Sequence, residues 1–193
     1  MNSYCKTKFL YIIPSKRDTK GFNTVDGAGK MPEKTNIYLF LDAEGTLFLP
    51  KKGLSYLDFW DGERTLDKAK EVFELDPSTI KVLEELKRMG ITMYIVSKHE
   101  EAVLPSLLEH FGIRKFFKEV LINGDKGLRI KKQAAADGIP LERCLMVGDM
   151  YSLDIAPCLR EGIKCYLLDR KYNRKENAPR LKSLYELLKV IIS

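Results

Sequence analysis

Long hydrophobic runs are absent from this sequence of 193 residues. No run approaches the roughly 18–20 apolar residues that a membrane-spanning helix needs, so we expect no membrane partner. Residues 9–13 are apolar, but this run is only five residues long and no small-residue cleavage site follows it, so we predict no signal peptide. Hydrophobic residues at 45% and charged residues at 31% are typical of a soluble globular protein of one domain.

Cysteine is scarce, and its spacing does not match common metal-binding patterns. The chain has four cysteines, and no two of them are close enough in sequence to form a metal-type pair. Three of the four lie in apolar contexts. We therefore expect a reducing, cytoplasmic setting. The cysteines are Cys5, Cys144, Cys158 and Cys165.

A repeated pattern of aromatic and basic residues, which would favour nucleic-acid binding, is also absent. The net charge is +6, of which residues 1–30 carry +4 through six basic and two acidic side chains. We interpret residues 1–35 as a basic N-terminal extension that ends in a linker. Such a tail can bind polyanions, but a solvated tail without a partner is the simpler interpretation. A start of translation at Met31, near the end of this segment, remains open.

The chain is organised around residues 37–41, five apolar or aromatic residues in a row. Such a run is typical of a strand that is buried on both faces. The residues that follow it are Asp42, Ala43, Glu44, Gly45 and Thr46. The two acids would lie at the carboxyl end of a central strand, where open α/β sheets bind their ligands. Buried carboxylates are costly unless they are paired or bind a metal, so Asp42 and Glu44 indicate a functional site.

Strands and helices alternate along the rest of the domain, residues 36–193. This pattern predicts an α/β fold with a doubly wound parallel sheet. Residues 47–76 form a small insertion after the first strand, a flap with an aromatic cluster at 54–60 and a short helix at 68–75. Asp76 is predicted to cap the next helix. The apolar face of this helix is predicted to consist of Ile80, Leu83, Leu86 and Met89. Further strands are predicted at 91–96, 117–122, 143–147 and 163–168, and further helices at 104–111, 126–137, 155–159 and 181–191.

Polar residues follow the other predicted strands as well. Ser97 follows the second strand, Lys126 the third and Asp149 the fourth, and Asp154 comes five residues later. Because the carboxyl ends of parallel strands meet at one edge of a sheet, we expect these side chains to lie close to the two acids of the first strand.

This order of residues is similar to the four motifs of the haloacid dehalogenase-like (HAD) superfamily of aspartate-nucleophile phosphatases. The similarity spans residues 37–154, and the sheet pattern extends beyond it to the C-terminus. It implies a HAD-like Rossmannoid fold and Mg²⁺ as cofactor. Substrate choice in this family depends on cap insertions, and residues 47–76 are too few for a helical-bundle cap. The resemblance is therefore to members with little or no cap.

The residue types suit the transfer of a phosphate group. Asp42 and Asp149 can hold Mg²⁺ through oxygen ligands. Asp42 can then attack phosphorus and form an aspartyl-phosphate that water hydrolyses. Ser97 supplies a hydroxyl donor and Lys126 a cation to the phosphate oxygens, and we expect Thr46 to bind the phosphate as well.

The resemblance adds roles for two further acids. It implies that Glu44 gives its backbone carbonyl to the metal and its side-chain proton to the leaving oxygen, and that Asp154 orients the metal shell. The family usually has Asp where this chain has Glu44. Glu can transfer the same proton, an effect worth ~10²–10⁴-fold, but displacement of its carboxyl by roughly one bond length can cost ~10²-fold. A slower enzyme, a shifted pocket and a persistent acyl-phosphate are the consequences that remain open.

Several of these residues also have plain structural explanations. Ser97 could be a helix N-cap, Lys126 a surface lysine and Asp154 an acid in the first turn of a helix. Lys98 and His99 either contact the substrate or belong to a solvated loop.

The aromatic cluster of the flap leaves two interpretations open. Trp60 either stacks on a substrate or packs the flap against the body of the domain.

Taken together, the motifs predict a magnesium-dependent phosphatase that hydrolyses a phosphate monoester, with a phosphorylated substrate as its partner. The alternative is a non-enzymatic module with a degenerate site, either receiver-like, holding an aspartyl-phosphate as a signal, or binding nucleic acid through the basic tail.

Overall fold

A computed structural model of the protein describes residues 37–192. The predicted basic extension, its linker and the alternative start at Met31 lie outside the described residues. Within the described range, no helix combines the length and the apolar character needed to span a membrane.

Six strands form one parallel sheet, in which the predicted first strand lies near the centre. In chain order the strands are β1 (Tyr38–Leu41), β2 (Phe48–Pro50), β3 (Phe73–Leu75), β4 (Thr92–Ser97), β5 (Phe117–Ile122), β6 (Cys144–Gly148), β7 (Lys164–Leu168) and β8 (Arg180–Leu181). The main sheet has the order β5-β4-β1-β6-β7-β8. The helices are α1 (Leu57–Trp60), α2 (Leu66–Val72), α3 (Thr79–Arg88), α4 (Leu104–His110), α5 (Lys126–Ala136), α6 (Ala156–Arg160) and α7 (Leu184–Ile192).

Strand β1 is apolar on both faces because helices cover both faces of the sheet. Leu39 and Leu41 belong to a core that includes side chains of α3, α4 and α7. Phe40 belongs to the opposite core, with side chains of α5 and α6, and stacks on Tyr94 with ring centroids 4.5 Å apart. The prediction of a doubly wound parallel sheet is confirmed, and its crossovers place the strand ends of β1, β4, β5 and β6 at one edge.

The insertion between β1 and α3 contains two short strands as well as two short helices. The helix predicted at 68–75 is wrong in its second half, because α2 ends at Val72 and β3 follows directly. β3 pairs antiparallel with β2, and Phe73 is buried there while Glu74 points outward. This alternation of burial has the period of a strand, and its partner strand lies some twenty-five residues earlier in the chain.

Three further details differ from the predicted helices. Helix α3 begins at Thr79, and Asp76 accepts hydrogen bonds from the backbone and hydroxyl of Ser78 in the turn before it, at 3.0 and 2.6 Å. The side chain of Ile80 is 45% exposed, so the apolar face of α3 does not include it. Leu181 is buried in β8 and not in the last helix, which begins three residues later.

Candidate active site

The chain leaves β1 through a tight turn that brings Asp42 and Asp149 together. The backbone N–H of Asp42 donates to the carbonyl of Val147 in β6 at 2.9 Å, which fixes the end of β1. Gly45 follows with a φ of +73°, and a Cβ atom there would lie 2.2 Å from Asp149 Oδ2. Glycine is therefore needed both for the backbone conformation and for the close approach of Asp149.

Lys126, the first residue of α5, lies buried between two carboxylates. Its Nζ contacts Asp42 Oδ1 and lies 2.6 Å from Asp154 Oδ1, and the lysine is 3% exposed. The alternative of a surface lysine is therefore wrong. Burial alone would lower the pKa of Lys126, but the two carboxylates outweigh it and raise the pKa. Burial raises the pKa of Asp42 well above its ordinary value, although Lys126 opposes this shift.

Three buried acids lie close together at this lysine, which contacts two of them. Carboxylate oxygens of Asp42, Asp149 and Asp154 lie within 4.8 Å of one another. Burial raises the pKa of Asp149, and the charge of Asp154 adds to the shift. Asp149 Oδ1 is buried without a hydrogen-bond partner among residues 37–192. A carboxylate oxygen that receives no hydrogen bond is suited to bind Mg²⁺, which takes oxygen ligands.

Asp154 differs from Asp149 because both of its oxygens accept hydrogen bonds. Oδ1 accepts from Lys126, and Oδ2 accepts from the backbone N–H of Met150 at 2.7 Å. Its carboxylate thus ties α5 to the turn after β6. A supporting position is what the sequence predicts for Asp154, and its effect on a metal shell stays a prediction.

Glu44 lies beside this cluster and is held by side chains on two sides. Trp60 Nε1 donates to Glu44 Oε2 at 2.9 Å. His99 Nε2 lies 3.2 Å from Glu44 Oε1, outside hydrogen-bond alignment. Burial raises the pKa of Glu44 to about 7, and burial lowers the pKa of His99 to about 4, so this imidazole is neutral at pH 7.

His99 is a packed residue and not part of a solvated loop. Its ring lies 4.9 Å from that of Phe59 and 5.6 Å from that of Trp60, measured between centroids. Phe48 and Phe73 complete the aromatic surroundings at 6.1 and 6.2 Å. The flap is therefore packed against the body of the domain, and Trp60 takes part in this packing while lining the cavity above Glu44.

The remaining predicted phosphate contacts differ in position. Ser97 ends β4, and α4 begins only at Leu104, so the alternative of a helix N-cap is wrong. The Ser97 hydroxyl oxygen accepts from the backbone N–H of His99 at 3.0 Å, and the residue lines the cavity. Thr46 is fully buried and does not line it; its hydroxyl donates to Asp42 Oδ2 at 3.4 Å. Lys98 is exposed at the cavity wall.

Apart from Thr46, the predicted site residues thus line one cavity of about 270 Å³. Its walls are formed by Asp42, Glu44, Trp60, Ser97, Lys98, His99, Lys126, Asp149, Met150, Leu153 and Asp154.

Three residues after β7 support the site and were missed by the sequence analysis. Arg170 Nε donates to the carbonyl of Gly45 at 2.6 Å. The Tyr172 hydroxyl donates to Asp149 Oδ2, and Asn173 Nδ2 donates to the backbone carbonyl of Asp149 at 2.7 Å. The argument that selected residues after the other strands applies equally to β7, whose carboxyl end lies at the same edge.

A family model described as haloacid dehalogenase-like hydrolase matches residues 49–160. The matched range includes Ser97, Lys126, Asp149 and Asp154, and it begins after the two acids of the first strand.

Curated relatives match part of the chain. A phosphoglycolate phosphatase from Vibrio parahaemolyticus is 32% identical over 113 residues, which are 55% of this chain and 49% of that protein. The chain spans about half the length of the curated relatives it matches.

Solved structures share the fold at low sequence identity. A HAD phosphatase from Thermococcus onnurineus is 17% identical with a TM-score of 0.66, over 80% of this chain and 97% of that one. The L-2-haloacid dehalogenase RSc1362 is 18% identical with a TM-score of 0.62, over 81% of this chain and 99% of that one. These two proteins carry different activities on one fold, so the reaction has to be argued from the site.

Proposed function

Because this chain belongs to the haloacid dehalogenase-like hydrolase family, we propose that it is a magnesium-dependent phosphatase that hydrolyses a phosphate monoester through an aspartyl-phosphate on Asp42. The observation that carries this proposal is the buried cluster of Asp42, Asp149 and Asp154 around Lys126, with Glu44 at the same cavity. A lysine, a hydroxyl and three acids in one cavity suit a dianionic phosphate and its metal.

Asp42 and Asp149 would hold Mg²⁺, together with the backbone carbonyl of Glu44. Asp149 Oδ1, which has no hydrogen-bond partner among the described residues, is available to such an ion. When bound, the ion would offset the repulsion between a carboxylate nucleophile and a phosphate dianion.

The first half of the reaction forms a bond between an Asp42 oxygen and phosphorus and breaks the bond from phosphorus to the ester oxygen. Lys126 and Ser97 donate to the non-bridging phosphate oxygens, on which charge has to be stabilised. Glu44 gives its proton to the departing ester oxygen, which leaves as an alcohol. Asp42 is then an acyl-phosphate, and Glu44 is ionised.

In the second half Glu44 takes a proton from water, and the water oxygen attacks phosphorus. The bond between phosphorus and Asp42 breaks, and the products are inorganic phosphate and the free carboxylate. A pKa of about 7 for Glu44 suits a group that donates and accepts a proton in turn near neutral pH.

The first test is the release of phosphate from p-nitrophenyl phosphate, with and without Mg²⁺, by the native chain and Asp42→Asn. We expect magnesium-dependent turnover that is lost in the variant. Asp67→Asn, at a carboxylate whose side chain is 93% exposed, is the matched control and should keep full activity. Turnover that survives in Asp42→Asn would overturn the assignment of the nucleophile. Because curated relatives are named phosphoglycolate phosphatase, 2-phosphoglycolate belongs in the following screen.

Metal binding can be measured without turnover. Mg²⁺ should raise the melting temperature of the native chain, since a ligand that binds only the folded state stabilises it. Asp149→Asn should abolish this rise, whereas Asp67→Asn should not. An equal rise in Asp149→Asn would contradict the proposed metal site.

The two non-enzymatic alternatives predict other results. A receiver-like domain would accumulate a long-lived acyl-phosphate on Asp42 without turnover. A nucleic-acid-binding module would show salt-sensitive binding that disappears when residues 1–30 are deleted.

A further inference from the structure

A second cavity, of about 290 Å³, adjoins the first. The two cavities share four wall residues, and Tyr56 and Tyr172 complete the second one. Glu44 belongs to both walls, so the boundary between the cavities lies at the proposed acid. The shared residues are Glu44, Trp60, Asp149 and Met150.

The polar ends of two rings in this wall are directed at the two acids. Trp60 Nε1 donates to Glu44, and the Tyr172 hydroxyl donates to Asp149. The rings of Tyr56 and Tyr172 meet edge to face, with centroids 6.4 Å apart and an interplanar angle of 89°. Because these polar atoms are already hydrogen-bonded to the carboxylates, the surface that lines the cavity consists mostly of ring carbon atoms and the thioether side chain of Met150. Such a surface favours an apolar, flat group.

The charges in this wall exclude one class of leaving group. Glu44 and Asp149 are both acids, and no basic side chain is among the described residues that line the second cavity. A carboxylate on the leaving group would therefore enter without a cation to pair with it. A cationic group would pair with these two acids only at the expense of their proposed roles, because Glu44 is the proposed proton donor and Asp149 a proposed ligand of Mg²⁺.

We propose that the second cavity binds the leaving group of the substrate, and that this group is uncharged and carries a planar ring, as in an aryl or arylalkyl phosphate. This assignment rests on the proposed phosphatase function. When the phosphate lies in the first cavity and the ring in the second cavity, the ester oxygen lies between them, beside Glu44. The proton donor then faces the atom that leaves.

Four phosphate esters of primary alcohols test this assignment with the native chain and Mg²⁺: 2-phenylethyl phosphate, ethyl phosphate, 2-phosphoglycolate and phosphocholine. We expect kcat/KM for 2-phenylethyl phosphate to exceed that for each of the others by about tenfold or more, the scale of discrimination by an apolar pocket. Equal values for the phenylethyl and ethyl esters would overturn the proposal. A preference for 2-phosphoglycolate or phosphocholine would overturn it too, in favour of an anionic or a cationic leaving group.

Two variants locate the effect in the second cavity. Tyr56→Ala should lower kcat/KM for the phenylethyl ester several-fold more than for the ethyl ester. Its control is Leu57→Ala, because Leu57 is the next residue, is 63% exposed and does not line the cavity. Met150→Lys places a cation in the wall and should shift the ratio of rates toward 2-phosphoglycolate. Unchanged ratios in both variants would contradict the assignment.

Binding separates a failure of this assignment from a failure of the proposed function. With Mg²⁺ present, calorimetry should show that 2-phenylethylphosphonate, which is not hydrolysed, binds about tenfold more tightly than ethylphosphonate. If esters are hydrolysed without a preference for the ring, the proposed phosphatase function is supported and the proposed leaving-group site is rejected. If no ester is hydrolysed, the proposed phosphatase function is rejected. Equal binding of the two phosphonates would then reject the leaving-group site as well.

Discussion

The indole N–H of Trp60 donates a 2.9 Å hydrogen bond to Glu44 Oε2, and through it the flap after β1 holds the carboxylate that stands where the family usually has Asp. His99 approaches the other oxygen of the same carboxylate at 3.2 Å. Glu has one more rotatable bond than Asp, and the hydrogen bond from Trp60 restricts the position of its carboxylate.

Trp60→Phe keeps an aromatic ring in the flap and removes the N–H that positions Glu44. Protonation by Glu44 matters most for a poor leaving group, so we expect kcat on ethyl phosphate to fall by about tenfold or more and kcat on p-nitrophenyl phosphate to change much less. Steady-state rates on the two substrates measure this difference.

Glu44→Gln is the reference for this prediction, because it removes the proton donor itself. It should show the same dependence on the leaving group with a larger loss, ~10²–10⁴-fold on the alkyl ester. An equal loss on both substrates in Trp60→Phe would mean that the tryptophan acts only on folding of the flap.

Lys126→Met leaves Asp42 and Asp154 buried without their shared cation. Breaking a buried ion pair on one side leaves uncompensated charge, so we expect the free energy of unfolding in the absence of Mg²⁺ to fall by about 3–5 kcal/mol. Urea denaturation measures this loss. Lys131→Met, on the same helix at a side chain that is 58% exposed, should cost no more than about 1 kcal/mol; losses of similar size in both variants would contradict the buried cluster.

Gly127→Ala tests the contact between α5 and α6. A Cβ atom at Gly127 would lie 2.3 Å from the carbonyl oxygen of Pro157, so the helices would have to move apart. We expect a loss of about 1–3 kcal/mol in the free energy of unfolding, although alanine favours helix formation over glycine by about 1 kcal/mol. The reverse change at an exposed position of α5, Ala135→Gly, measures that propensity alone. A gain of stability in Gly127→Ala would show that the two helices are not in contact.

Asp137 makes the stability of the domain depend on pH. Hydrogen bonds from Gln133, Lys118 and Tyr94 lower its pKa to about 2, below the ordinary value of 3.8. Because the folded state prefers the charged form, this contribution is present above about pH 4. It is lost as the pH falls toward 2.

Asp137→Asn should therefore lower the free energy of unfolding by about 1 kcal/mol at pH 7, after allowance for solvent screening. The difference from the native chain should be much smaller at pH 2. Denaturant unfolding at the two pH values measures it, with Asp67→Asn as an exposed control that changes stability by less than about 0.5 kcal/mol. A difference in the free energy of unfolding that grows as the pH falls would contradict this prediction.

The sequence predicts the sheet and the members of the acidic cluster because both depend on local signals. An unbroken apolar run indicates burial on both faces, and polar residues directly after such runs indicate the edge where ligands bind. This argument finds Asp42, Ser97, Lys126 and Asp149 without knowledge of their contacts. It fails where a partner distant in sequence decides: Phe73 belongs to a strand only because β2 lies beside it.

The contacts within the site were harder to predict for the same reason. Tyr172 and Arg170 reach Asp149 and Gly45 from more than twenty residues away, and their placement depends on the fold of the segment between β7 and β8. For Trp60 the sequence left two interpretations, and the packing of the flap on His99 is confirmed. Contact of Trp60 with a substrate stays a prediction.

Strand β1 precedes the other strands of the described residues in the chain, but its pairing is completed late. It pairs with β4 on one side and with β6 on the other, and Leu41 meets Val147 about a hundred residues further along the chain. At ~5–20 residues per second, translation needs roughly 5–20 s to supply that second neighbour. During this time the edge of β1 that pairs with β6 in the folded protein has no partner strand, and an unpaired strand edge of a newly made chain favours mispairing and aggregation.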